Sequence, residues 1–173
     1  MFVRIKSIKG KDYAYMVRNV WRKRKKGSRQ KVAGYLGRVY RFENIYSKSF
    51  NEFYRIEDLE SYVKNKGKKE VINDLIRLEL VNRGFKEEGE KLVNGKLAFD
   101  MEKLAFFVSD KKAKAVIEMN EGFLCKETIS RLVNFKSELE EEREGYDLAN
   151  AFVEAGLSVP QEVFVEYYRV FFG

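Results

Sequence analysis

Phe2, Arg4 and Lys6 take one parity and Val3, Ile5 and Ser7 the other, so Phe2 to Ile8 reads as a half-buried strand. Lys9-Gly10-Lys11-Asp12 then supplies the glycine and short polar residues of a hairpin turn. From Asp12 to Trp21 the alternation resumes, with Tyr13, Tyr15, Val17, Asn19 and Trp21 set against Ala14, Met16, Arg18, Val20 and Arg22. Its aromatic and β-branched content favours a strand over a helix. Arg22 to Lys26 is a run of five cations followed by Gly27-Ser28, too like-charged for an interior element and expected at an exposed hairpin tip. Arg29 to Val39 forms a third strand, with Gln30, Val32, Gly34 and Leu36 opposite Arg29, Lys31, Ala33 and Tyr35. Glycine is costly inside a regular strand, so Gly34 or Gly37 is expected to mark a bulge or a close backbone approach. The pattern predicts a three-stranded antiparallel meander with its basic residues on one face and one end.

After Phe42 the character changes. Glu43 to Arg55, with Asn44, Ser47, Ser49 and Asn51, reads as a polar, aromatic connector. Ile56, Leu59 and Val63 fit a first helix; Val71, Ile72, Leu75, Ile76 and Leu78 fit a second that stops at Gly84. Phe85 to Met119 favours strands, with Asn94-Gly95 turning a hairpin between Leu92-Val93 and Leu97 to Phe99. Leu104 to Val108 and Ala113 to Met119 make another hairpin around Ser109-Asp110-Lys111, although the first of these equally fits a buried helical turn. The last third is helical: Leu124 to Phe135, Tyr146 to Ala155 ending at Gly156, and Pro160 to Phe172, with Glu138 to Glu144 an acidic connector. Ser158 and Gln161 have the spacing of a capping box, and Pro160, the sole proline, suits a first helical turn. The expected fold class is α+β, organised as a basic meander over 1–42, a connector over 43–55 and an acidic α+β domain over 56–173.

Charge sharpens that division. Residues 1–42 hold fourteen Lys and Arg against one acid, Asp12, a formal +13, whereas the whole chain carries +7. The remainder is therefore acidic, at −6. Such asymmetry points to a polyanion partner for the basic part, the bland alternative being a merely solvated basic surface. Arg22, Lys23, Arg24, Lys25, Lys26, Arg29 and Lys31 are the expected contacting set, with Arg4, Lys6, Arg18, Arg38 and Arg41 behind them. Tyr13, Tyr15 and Trp21 offer flat faces for stacking on bases, but on a small sheet the first expectation is that they are core residues. A two- or three-stranded sheet fits the major groove of B-DNA and not the deep, narrow one of RNA, so DNA is favoured over RNA held through its phosphates.

Composition removes other chemistries. The chain has no histidine, which excludes an imidazole base, ligand or nucleophile activator, and its single cysteine, Cys125, leaves structural zinc without enough ligands. One cysteine forms no internal disulfide, and no apolar stretch is long enough to span a bilayer, so the expected setting is the cytoplasm, away from membranes. The carboxylates Glu57, Asp58 and Glu60, then Glu87, Glu88 and Glu90, then Asp100 and Glu102, then Glu138 to Glu144, fit solvated faces and loops, and no spacing among them defines a metal motif. No catalytic residue, metal ligand or cofactor is assigned. Asn120 to Cys125 reads as a turn leading into a helix, with Cys125 a small buried hydrophobe rather than part of an anion site. Tyr167, Tyr168, Val170, Phe171 and Phe172 are expected to pack inward, with a homodimer or protein partner through this aromatic helix as the secondary reading.

Met1-Phe2-Val3-Arg4, Tyr13-Ala14-Tyr15-Met16-Val17 and Arg29-Gln30-Lys31-Val32-Ala33-Gly34-Tyr35-Leu36-Gly37-Arg38 carry a resemblance. This quarter of the chain is similar to the N-terminal segment of insertion-sequence transposases, where a strand of the form Y-x-Y/L-V leads through a basic loop to R-Q-K/R-V-x-x-Y-L-G. The residues after Phe42 are too few for the widely spaced Asp-Asp-Glu triad of those enzymes, so the resemblance implies nucleic-acid contact and not transposition. The chain also resembles a group of uncharacterised archaeal proteins of about this length, through Asn120 to Cys125 and Tyr146 to Phe152 as well. That likeness implies that the acidic part is a companion of the sheet module. The leading expectation is a DNA-binding regulatory or architectural factor, ahead of a ribosome- or RNA-associated factor and, last, a metal-dependent nuclease.

Overall fold

A computed structural model describes residues 1–23, 26–108, 113–136 and 141–173. The predicted meander is there: β1 (Phe2–Ile8), β2 (Lys11–Arg22) and β3 (Gly27–Arg41) pair antiparallel in sequence order. Lys9 and Gly10 both take positive φ between the paired Ile8 and Lys11, the backbone of a tight two-residue hairpin turn. Two register shifts interrupt the pairing of β2 with β3, between Ala14 and Tyr15 and between Met16 and Val17. Gly37 marks one of them. Its φ is +142°, and a Cβ there would stand 2.6 Å from the carbonyl oxygen of Lys114 on the neighbouring strand.

The segment read as a linker contains a short helix, α1 (Phe50–Tyr54), because Ser49 and Glu52 close a capping box that outweighs the polar composition around them. Helices α2 (Leu59–Asn65) and α3 (Lys68–Asn82) follow as the apolar spacing predicts, α2 capped by the Asp58 carboxylate. Then come β4 (Lys86–Glu88), β5 (Lys91–Asn94), β6 (Leu97–Asp100), β7 (Ala105–Val108) and β8 (Ala113–Met119), each pairing antiparallel with the next. Leu104 to Val108 is thus strand rather than helical turn, and the expected turn residues Ser109 to Lys111 lie outside the described residues. Asn120 to Cys125 departs from expectation. Asn120 and Glu121, at φ of 46° and 64°, turn β8 into a further strand, β9 (Gly122–Leu124), before α4 (Lys126–Val133) begins. The Asn120 side chain, hydrogen-bonded to Glu79, Arg83 and the Gly156 carbonyl, holds this turn without the glycine that would have announced it.

Helix α5 (Glu141–Glu154) starts before Tyr146, inside the segment read as an acidic connector; acidic residues carry no apolar period yet suit a helix N-terminus. In α6 (Gln161–Phe171) Pro160 is the N-cap and makes no side-chain cap, so the capping box expected from Ser158 and Gln161 does not form. The Ser158 N–H donates instead to Glu79 Oε1, 3.0 Å away. Among the described residues there are nine strands in one mixed sheet, ordered β1-β2-β3-β8-β7-β6-β5-β4 with β9 beside β8, and six helices. β3 and β8 meet in parallel from Arg38 opposite Ala115 to Arg41 opposite Glu118, and this pairing carries the sheet across the expected boundary near residue 42.

Two apolar clusters flank that junction. The larger gathers α3, α4, α5 and α6 around Leu92, Phe99, Phe106, Ala115 and Ile117. The smaller buries Ala14, Met16, Leu36, Val39, Val116 and Cys125, with Val3, Ile5 and Phe123 at its margin. Alternate residues of β8 therefore feed opposite sides of the sheet. Among the described residues no helix is long and apolar enough to cross a membrane.

Candidate nucleic-acid interface

Register decides which meander side chains share a side. Arg4 lies across from Tyr15 and Lys6 across from Tyr13 on β1 and β2; Tyr15 lies across from Tyr35 and Tyr13 across from Arg38 on β2 and β3. This side faces away from Ala14, Met16 and Leu36 of the smaller core. On it Tyr13 and Tyr35 have ring centroids 6.4 Å apart, and Tyr15 and Tyr35 5.4 Å apart. Tyr35 is 45% exposed, and Trp21, further along the same side of β2, is 64% exposed. The expectation that these aromatics are core residues is corrected: the core side of a three-stranded sheet is already filled by Ala14, Met16, Leu36 and Val39, so the rings fall to the other side. Burial, and then the neighbouring phenols of Tyr13, Tyr15 and Tyr40, raise the Tyr35 pKa above its ordinary value, so the ring stays neutral at physiological pH.

The distal half of the β2–β3 ribbon forms an open groove of about 590 Å³ lined by Lys6, Val20, Arg22, Arg29, Gln30, Lys31 and Val32. Four of the seven are cations and none is an acid. Arg18 stands directly across from Lys31 and is exposed, as are Lys23 and Lys26 at the tip. Arg24 and Lys25, both in the expected contacting set, lie outside the described residues. Arg4 donates to Gln30 Oε1, tying β1 to the groove wall. Lys6 Nζ sits 5.4 Å from the centroid of Tyr15, and the Arg38 guanidinium 5.0 Å from that of Tyr40.

Arg41 is placed differently from the others. It bridges Asp12 at 2.8 Å and Glu118 at 2.6 Å, and these hydrogen bonds and charges raise its pKa. Its charge is answered within the protein. Tyr35 and Gln30 are absent from the expected contacting set, and strict alternation along β3 puts them on opposite sides. The register shift between Met16 and Val17 brings Val32 across from Val17 while Tyr35 stays across from Tyr15, placing both on a common side. The paired glycines were the available signal of irregularity, though not of its direction.

Members of three of the four carboxylate clusters are engaged structurally, and residues 138–140 of the fourth lie outside the described residues. Asp58 caps α2, Glu60 pairs with Lys64 and Arg169, Glu87 with Arg77, and Asp100 accepts from the backbone of Glu102 and Lys103. Among the described residues no three His, Cys, Asp or Glu side chains gather as a metal site would need. Cys125 is buried, which raises its thiol pKa and disfavours the reactive thiolate. The C-terminal aromatics turn inward: Tyr167 is buried against Phe152 at 5.6 Å, and Lys68 covers Phe172 at 4.1 Å. No protein-family model, curated protein or solved structure matches the chain.

Proposed function

We propose that this protein binds nucleic acid through the β2–β3 ribbon and acts as a DNA-binding regulatory or architectural factor. The observation that carries the reading is the groove, where Lys6, Arg22, Arg29 and Lys31 converge with no carboxylate among the lining residues. Cations so placed neutralise phosphates and release counterions, which drives association whatever the sequence. DNA is preferred on shape, since a projecting two-stranded ribbon fits the B-form major groove. The resemblance of residues 1–38 to transposase N-terminal segments points the same way. We read the protein as a binder and not a catalyst, a reading supported by the engagement of Asp58, Glu60, Glu87 and Asp100 in caps, turns and ion pairs.

The test is fluorescence anisotropy with duplex DNA and duplex RNA of matched length at about 50 and 200 mM salt. Replacing Arg22, Arg29 and Lys31 together by alanine should weaken binding alike across sequences and flatten the salt slope by about three. An unchanged affinity and slope in that variant would sink the proposal. Tighter binding of RNA than of DNA would move the assignment to an RNA-associated factor.

A further inference from the structure

The rings of Tyr13, Tyr15 and Tyr35 leave apolar area in water that the smaller core on the other side does not use. Their setting gives that area a chemistry. Lys6 Nζ sits over the Tyr15 ring, 5.4 Å from its centroid, so a π face of this ring meets a cation from β1. The same lysine lines the basic groove. Groove and rings therefore adjoin through one residue, with cations on one flank and aromatic faces on the other.

That pairing suits a ligand offering a line of negative charge and, beside it, flat faces free to stack. A duplex offers the charge but keeps its base faces stacked inside, showing only edges in its grooves. An unpaired strand offers both. We infer that the tyrosine side of the meander binds a single-stranded segment of nucleic acid, with phosphates along Arg4, Lys6 and Arg38, which share that side by register, and bases stacked on Tyr15, Tyr35 and Tyr13. This rests on the nucleic-acid reading above and adds, beside the duplex that the ribbon cations hold, an unpaired strand on the tyrosine side. Lys6 leaves the Tyr15 ring for a phosphate as a base takes its place. Because every base has a π face, the contact is tolerant of sequence.

The experiment uses the full chain and labelled oligonucleotides of about twelve units: oligothymidylate, oligouridylate, a duplex, and a strand of abasic deoxyribose phosphates. The abasic strand keeps the charge and removes the faces, so it probes stacking without altering the protein. Expected is tight binding of the thymidylate and a loss of about tenfold per stacked base on the abasic strand. Tyr15→Leu and Tyr35→Leu should reproduce that loss on thymidylate while leaving abasic and duplex binding unchanged, and Tyr→Phe at either position should restore it. Equal affinity for thymidylate and abasic strands overturns the stacking side while leaving phosphate binding in place. Failure to bind any of the four overturns both. Uridylate bound as well as thymidylate fits the inference, since stacking ignores the sugar; uridylate rejected outright overturns the sequence- and sugar-tolerant mode claimed here.

Discussion

Asp12, the sole acid of the basic meander, accepts a hydrogen bond from Ser7 Oγ and the guanidinium of Arg41. These hold its carboxyl below the usual aspartate range, the Ser7 bond first and the Arg41 bond next, against a smaller opposing effect of burial. A carboxyl whose folded pKa is depressed stabilises the fold above its unfolded value, and that contribution is lost as pH falls through the folded one. Thermal melts carried from about pH 5 down past the unfolded aspartate value of about 4 should show stability falling there, and less steeply in Asp12→Asn, which has no charge to lose. Parallel curves for the two proteins would remove Asp12 from the account. Arg41 belongs to the same residue-scale logic: composition counts it with thirteen other cations, but two carboxylates occupy it.

Among elements, α3 is held at its C-terminal end by a buried polar knot. Glu79 pairs with Arg83 one turn later, and its other oxygen accepts from Asn120 Nδ2 at 3.1 Å and the Ser158 N–H at 3.0 Å. One carboxylate thus joins α3, the β8–β9 turn and the segment before α6. Removing one partner of a buried pair leaves the other charge uncompensated, so Glu79→Ala should cost about 3–5 kcal/mol in denaturant unfolding. A loss under about 1 kcal/mol would mean the knot is dispensable. Periodicity made α2, α3, α6 and the strands β1, β2, β5 and β6 legible, since each carries its own apolar spacing. It missed β9, whose three residues are too few for a pattern, and the capped α1, whose reason for ordering lies in two side chains and not in a period.

At the scale of the whole molecule, the meander and the acidic remainder share one sheet through the parallel pairing of β3 with β8. The meander's inner face is covered by Val116, Phe123 and Cys125 from the far side of that junction, and Arg131 of α4 reaches back to the Met1 carbonyl and Met16 sulfur. A three-stranded sheet of this size, stripped of that cover and carrying +13, has too little to bury. Residues 1–42 as an isolated peptide should therefore show no cooperative thermal transition by circular dichroism, whereas the full chain should melt cooperatively. A sharp transition in the peptide would make the meander an autonomous domain.

The amino-acid sequence by itself determined the class of the fold, the order of most elements and the concentration of positive charge in the first quarter of the chain, because periodicity, turn residues and charge are local properties. Which residues stand together was decided only by the tertiary structure. One register shift in β3 puts Gln30, Val32 and Tyr35 on one side, a parallel strand from beyond residue 112 closes the smaller core, and Glu118 claims Arg41. Each depends on a partner far along the chain, and no spacing within a segment encodes where that partner comes to lie.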